Sequence, residues 1–308
     1  MNVAGATAEK PHDCLHLQCR RATTQFHSGV GGVYRPERVV TNDEICRQID
    51  STIGCVIVAT STYPYQTPAA GPQIAHRLGI VGCAFDVSSG CAGFCLALAL
   101  ASDAVRGGTA HNVLAIGVER ASEFVDLTDK STAFIFSDGA GAAVVGASPQ
   151  AGIGPVEWRS DGSLAHVLAQ EPCWTEFRDN PTGPHPWVKF NGAAVFRWAT
   201  VEMEKIARAA LDRAGVTVKQ LDAVIPHQAN LRITEAISKR LKLLPTTVVA
   251  RDIVDAGNTS AASVPLAMET LLRTGRAHAG DTALLIGFGA GLTCAAQVVT
   301  LPATPYAP

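Results

Sequence analysis

The stretch SSGCAGFCLALALASDAVRGGTAHNVLAIG, residues 88–117, decides the fold. It opens on a small-residue corner. It then runs as an Ala- and Leu-rich helix of about four turns, stops at Gly107–Gly108 and ends in an apolar strand. A second stretch, GNTSAASVPLAMETLLRTGRAHAGDTALLIG at 257–287, has the same grammar. Both start with Ser, Gly and Ala and both close on a short apolar run that ends in Gly. Helices apolar nearly all round belong inside a protein. Strands alternating with helices imply parallel or mixed sheets covered on both faces. An internal duplication of that pattern implies two α/β sheets back to back, hence five layers.

The rest of the chain extends this pattern. The β-branched run CVIVATSTY, between Gly54 and Pro64, reads as a buried strand. GPQIAHRLGI reads as a short amphipathic helix, and GCAFDVSSG and HNVLAIGVE as strands. STAFIFSDGAGAAVVGA, residues 131–147, reads as two strands around a glycine turn. GAAVFRWATVEMEKIARAALDRAG and LRITEAISKRLKL read as helices, with the strand LDAVIP between them. DTALLIGFGAGLTCAAQVVTL reads as a strand pair about a glycine turn. The expected organisation is a flexible leader over 1–28, an N-terminal half over 29–150 and a C-terminal half over 151–308. Within 29–150, GVGGVYRPERVV suggests a strand and a turn, and TNDEI a helix start.

Composition narrows the function classes. Of 308 residues, 47% are hydrophobic and only 17% charged, which favours a large core or a subunit interface. A formal net charge of −2 points to neither nucleic acid nor an anionic membrane. No apolar run is long enough to span a bilayer, and the N-terminus lacks a secretory signal, so a cytoplasmic setting is expected. The cysteines number nine and contain no C-x-x-C pair, and they read as reduced thiols. His12, Cys14, His16 and Cys19 match no strong zinc spacing, and no metal is expected.

Cys91 stands where the strand gives way to the helix. A cysteine there meets unpaired N–H groups and the positive end of the helix dipole, which favour the thiolate. The same N–H groups can hold an oxyanion when the thiolate attacks a carbonyl. By itself, Cys91 reads as a nucleophile or as a small packing residue, and Cys95 reads as packing. His227 follows a strand in the polar cluster HQAN, and strand ends are where sites assemble. Asn258 sits at the matching corner of the other half, where an Asn after Gly also simply makes a turn.

DVSSGCAGF, IPHQANLRI, GNTSAASVPLA and GFGAGLT, in this order, resemble the motifs of the β-ketoacyl-acyl-carrier-protein synthase III family. The likeness runs from about Gly29 to Leu301. It implies a thiolase-like, duplicated five-layer α-β-α-β-α sandwich, a homodimer and a catalytic set of Cys91, His227 and Asn258. In such an enzyme the cysteine takes an acyl primer from a thioester. Malonyl-acyl-carrier protein then loses CO2 and condenses with the primer, giving a β-ketoacyl thioester for fatty-acid or polyketide initiation. The resemblance gives His227 and Asn258 the enolate oxygen, the turn at Ala290 a share of the oxyanion site, and Phe288 the wall of the decarboxylation site. It further places Arg232 at the mouth of the pantetheine tunnel and Thr67 at the bottom of the acyl pocket across the dimer. Acyl-CoA or acyl-carrier-protein thioesters are the expected substrates, with no cofactor and with acyl carrier protein as partner. Two other functions share the scaffold: acyl transfer to an alcohol or amine without condensation, and a non-catalytic partner of a ketosynthase.

The sequence departs from the family in one region. Relatives carry several dozen residues, with a Trp and an Arg that clamp the adenine of CoA, between the TNDEI helix and the IVATST strand. Here only CRQIDSTIGC joins the two. Lys130 stands where relatives have a second clamping arginine, and an ammonium cannot stack as a guanidinium plane does.

Overall fold

The computed structural model describes residues 12–18, 53–149 and 151–303. The strand and turn expected over 29–36, the TNDEI helix and the shortened join over 46–52 lie outside the described residues, as do 1–11 and 19–28 of the expected leader.

Two five-stranded sheets form the frame. The first contains β1 (His12–Gln18), β2 (Cys55–Ala59), β3 (Cys83–Val87), β4 (Asn112–Glu119) and β5 (Gly139–Ser148), in the order β1-β5-β4-β2-β3. The second contains β6 (Glu157–Ser160), β9 (Ala223–Pro226), β10 (Val248–Val249), β11 (Thr282–Gly289) and β12 (Thr293–Thr300), in the order β10-β9-β11-β12-β6. Reading the first order backwards superposes the two halves, as the repeat in the sequence implied. Parallel and antiparallel contacts match as well. β2 lies parallel to β3 and β4, β9 lies parallel to β10 and β11, and β5 and β12 run antiparallel to their neighbours.

Burial explains the layering. Helices α2 (Gly93–Arg106) and α6 (Ser263–Arg273) lie between the sheets. Phe94, Leu98, Met268 and Leu271 pack there against Ile57, Val113 and Val145 of one sheet and Ile225, Leu285 and Val299 of the other. Both sides of these helices meet apolar surface, which is why neither has a polar stripe. Helix α1 (Ala70–Arg77) covers the outer face of the first sheet over Val56, Val58 and Val144. Helices α4 (Gly192–Ala214) and α5 (Leu231–Leu241) cover the outer face of the second over Leu284, Ile286 and Val298. The result is the five-layer α-β-α-β-α sandwich. No helix among the described residues is long and apolar enough to cross a membrane.

Three segments differ from the sequence reading. His12–Gln18, inside the expected leader, forms β1 and pairs antiparallel with β5 along its whole length. The other side of β5 is taken by β4, so β1 completes its hydrogen bonding. Residues 131–135 form turns rather than a strand, tied by Thr132 and Ala133 N–H donating to the Asp129 carbonyl. Phe136 keeps only a single bridge, to Asn258. Between β6 and α4 stands an unanticipated excursion: β7 (Leu168–Glu171), α3 (Trp174–Asp179) and β8 (Trp187–Phe190), with β7 and β8 paired as a separate two-stranded sheet.

Candidate active site

Carboxyl ends of parallel strands gather the site, as open α/β sheets require. Ser61 and Thr62 follow β2, Cys91 follows β3 and Glu119 ends β4. In the other half His227 follows β9, Asn258 follows β10, and Gly289 and Ala290 follow β11. Cys91 sits in a single 3-10 turn, Gly90–Ala92, ahead of α2. Gly289 lies against it: a Cβ there would fall 2.6 Å from the Cys91 nitrogen and 2.8 Å from its Cβ, so only glycine admits the Cys91 turn. Ala290 is packed beside Gly90, its backbone nitrogen 3.1 Å from where a Gly90 Cβ would stand. The Ala290 turn therefore packs directly against the turn that carries Cys91.

A cavity of about 160 Å³ opens over this turn, lined in part by Cys91, Ser260 and Ala290. Phe124, Val125 and Phe136 form apolar wall, and β7 and β8 add Leu168 and Val188. The excursion that the sequence reading passed over thus closes the pocket.

Cys91 is 5% exposed, and burial pushes its thiol up to about 12. A hydrogen bond with the Ser260 hydroxyl and one from its own backbone N–H pull the other way, while the Glu119 carboxylate adds to the rise. This reverses the sequence expectation of a thiolate at rest. The turn before α2 is dry, and desolvation of a buried anion outweighs the N–H groups at the helix start. Cys95 is also fully buried, its thiol raised to about 12 by the same cause, as befits a packing residue.

His227 is buried, and desolvation alone lowers it to about 3. Its backbone N–H donates to the Ile286 carbonyl at 2.6 Å, and its ring meets the Phe288 ring edge-on at 5.1 Å. Nδ1 lies 2.6 Å from the Ser263 Oγ, which also accepts from the Gln228 N–H at 3.4 Å. In the tautomer in which Ser263 donates to Nδ1, the ring proton stands on Nε2. A neutral ring with Nε2–H is a donor for a developing oxyanion. Asn258 is buried; its Oδ1 accepts from the Ser260 N–H at 2.9 Å, which leaves the Nδ2 amine as its donor group.

The other expected residues fare differently. Phe288 is fully buried against His227 in the core of the second half and does not line the cavity. Arg232 is exposed on the first turn of α5. Thr67 is exposed on the loop before α1 and does not line its own chain's cavity, and Lys130 is exposed. The sequence reading missed Glu119 and Ser260. The first had a signal, a lone carboxylate ending a strand otherwise free of charge. The second stood inside the GNTSAAS motif.

A buried cysteine that lines an apolar cavity, with a buried neutral histidine and a buried asparagine set after strands of the other half, stands on a five-layer duplicated sandwich, the frame of a thiolase-fold acyltransferase. Solved structures agree. The priming β-ketosynthase of the R1128 polyketide biosynthetic pathway matches with a TM-score of 0.83 and 37% identity, over 98% of this chain and all of that one. A β-ketoacyl-[acyl carrier protein] synthase III from Thermus thermophilus matches with a TM-score of 0.77 and 36% identity, over 85% and 83% of the two chains. Family models for 3-oxoacyl-[acyl-carrier-protein] synthase III and for its C-terminal part match residues 85–162 and 211–301. The mycobacterial β-ketoacyl-[acyl-carrier-protein] synthase III of Mycobacterium avium (strain 104) is 49% identical over 315 positions, covering 88% of this chain and 94% of its own. That of Mycobacterium tuberculosis (strain ATCC 25177 / H37Ra) is 46% identical, covering 91% and 98%. The chain belongs to the 3-oxoacyl-[acyl-carrier-protein] synthase III family. The first alignment is longer than the share of this chain it covers, so the relative carries residues that this chain lacks.

Proposed function

We propose that this chain loads an acyl primer on Cys91 and condenses it with malonyl-acyl-carrier protein. Attack of the Cys91 sulfur on a thioester carbonyl gives the acyl-enzyme and releases the donor thiol. The malonyl thioester then loses CO2, and His227 Nε2–H and the Asn258 amine hydrogen-bond the thioester oxygen as it becomes an enolate. The resulting carbanion attacks the acyl-Cys91 carbonyl, whose oxygen turns towards the backbone N–H groups of Cys91 and Ala290. Phe288 holds the His227 ring edge and keeps water from the carbanion. The observation that carries this reading is the buried His227, which desolvation keeps neutral and whose Nδ1 faces the Ser263 hydroxyl, so that Ser263 donating there leaves Nε2–H for the substrate oxygen. Transfer to an alcohol or amine would instead call for a base there.

The cavity volume bounds the primer. About 160 Å³ is close to the space that holds one benzene, so the pocket suits an acyl chain of about six carbons. The missing Trp/Arg segment favours a carrier-protein donor, or CoA held by its pantetheine arm alone, with Arg232 at the mouth. A homodimer is supported by the edge of the first sheet, where Val81 is 91% exposed and Phe85 37% exposed near the Thr67 loop. A reducing, cytoplasmic setting suits Cys55, Cys83, Cys91, Cys95, Cys173 and Cys294, each a free thiol. Intact-protein mass spectrometry after incubation with acetyl-, hexanoyl- and dodecanoyl-carrier proteins and the matching acyl-CoAs tests the reading. Acyl adducts on the wild type and none on Cys91→Ala are expected. CO2 release from malonyl-carrier protein, without formation of an ester or amide, separates condensation from transfer.

A further inference from the structure

Besides the Cys91 thiol, the side chains lining the cavity that carry an O–H or N–H are Ser61, Thr62, Ser260 and Gln170. The three hydroxyls share one acceptor. Glu119, 1% exposed, accepts from the Thr62 hydroxyl at 2.7 Å, the Ser260 hydroxyl at 3.0 Å and the Ser61 hydroxyl at 3.1 Å. A hydroxyl has one proton, so each of the three is already committed inside the protein. Gln170 differs. Its side-chain Nε2 is buried and has no hydrogen-bond partner. Among the described residues, one other buried side-chain nitrogen or oxygen lacks a partner: Gln297 Oε1, an acceptor on β12 that does not line the cavity.

Strand geometry shows which way the Gln170 side chain faces. Side chains alternate in direction along β7, so Gln170 shares a face with Leu168. In the β7–β8 ladder Gln170 stands opposite Val188, and residues opposed in an antiparallel pair lie on the same side. Leu168 and Val188 both line the cavity and share an apolar cluster with Phe136. Gln170 is therefore a polar member of an otherwise hydrocarbon face that the hairpin turns to the cavity. Folded proteins pair their buried donors, and one left unpaired is destabilising. Leucine or methionine would fill the same place without that penalty. A plain hydrocarbon chain in the cavity offers the amide nothing, whereas a chain with an oxygen offers it an acceptor.

We propose that Gln170 selects an acyl primer that carries a hydrogen-bond acceptor on its chain, an ether or ketone oxygen, over a plain hydrocarbon chain of the same length. This rests on Cys91 as the nucleophile and on the cavity as the acyl pocket, as argued above. The Gln170 Nε2–H donates to that oxygen, and Leu168, Val188 and Phe136 enclose the neighbouring methylene groups. Discrimination arises at loading, the step that admits the primer.

Single-turnover loading of Cys91, read by intact mass, tests the selection. The probes are carrier-protein thioesters of one chain length, with the matching CoA esters in parallel: hexanoyl, ethoxypropanoyl, methoxybutanoyl and hexanoyl with a ketone at its fifth carbon. The two ethers and the ketone accept hydrogen bonds and donate none. At concentrations below saturation the wild type should load at least one of these three about tenfold faster than hexanoyl. Gln170→Leu should abolish that advantage, with an unfolding temperature that holds or rises because an unpaired buried donor is gone. Gln170→Met, closer in shape, should do the same. A glutamine that only packs predicts one preference shared by the wild type and both variants. Wild-type loading of all three oxygen-bearing chains within about threefold of hexanoyl, or an oxygen preference that survives both substitutions, overturns the selection. No adduct on the wild type from any of the thioesters, or an adduct on Cys91→Ala, overturns the nucleophile assignment itself.

Discussion

Acidification offers a direct measure of how the site is built, because burial disfavours the charged form of His227. The ring's pKa falls from 6.5 to about 3 on folding. Above the unfolded value both states are neutral and His227 makes stability independent of pH. Between the two values the unfolded chain binds a proton that the folded protein refuses, so stability falls as pH falls. The slope approaches about 1.4 kcal/mol per pH unit, and the loss between about pH 7.5 and about pH 4.5 is roughly 3 kcal/mol from this one ring. Urea unfolding of the wild type and of His227→Asn at both pH values isolates it, since every other titrating group is common to the two. The wild type should lose about 3 kcal/mol more than the variant over that interval. Parallel losses would mean that the ring is solvated or charged in the native state, and the donor role assigned to Nε2 would fall with it.

Other consequences follow from single contacts. Ser263→Ala removes the hydroxyl that faces Nδ1, so the ring is free to carry its proton there and present a bare Nε2. CO2 release from malonyl-carrier protein should fall about tenfold. Gly289→Ala drives a methyl into the Cys91 backbone, which cannot yield as a flexible side chain would; a loss of about 1–3 kcal/mol in unfolding free energy is expected, with acyl loading below detection. Leu98→Ala, in the layer between the sheets, should cost about 2–5 kcal/mol in the same assay without changing the identity of the acyl adduct. Phe85→Glu sets a charge on the exposed edge of the first sheet and should shift the chain towards monomer in light scattering.

Much of this protein was written in its local sequence. Each of the two long repeats carries its own strand, small-residue corner and buried helix. Period and glycine placement act over a few residues, so the sheets, the central helices and the positions of Cys91, His227 and Asn258 at strand ends were legible. The pairing of His12–Gln18 with β5 was not, because a polar strand shows its partner only once an edge exists to receive it. Residues 131–135 are rich in strand-forming side chains, yet hydrogen bonds back to Asp129 hold them as turns. The β7–β8 hairpin shows its use only when folded across the cavity. Tertiary structure alone decided the chemistry of the nucleophile. A helix start argues for a thiolate, but burial is the sum of all neighbours, and here it holds the thiol and brings a carboxylate and a serine hydroxyl from opposite halves of the chain to meet it. Sequence specifies which groups the chain can offer. The dryness that sets their protons exists only after distant segments have closed around them.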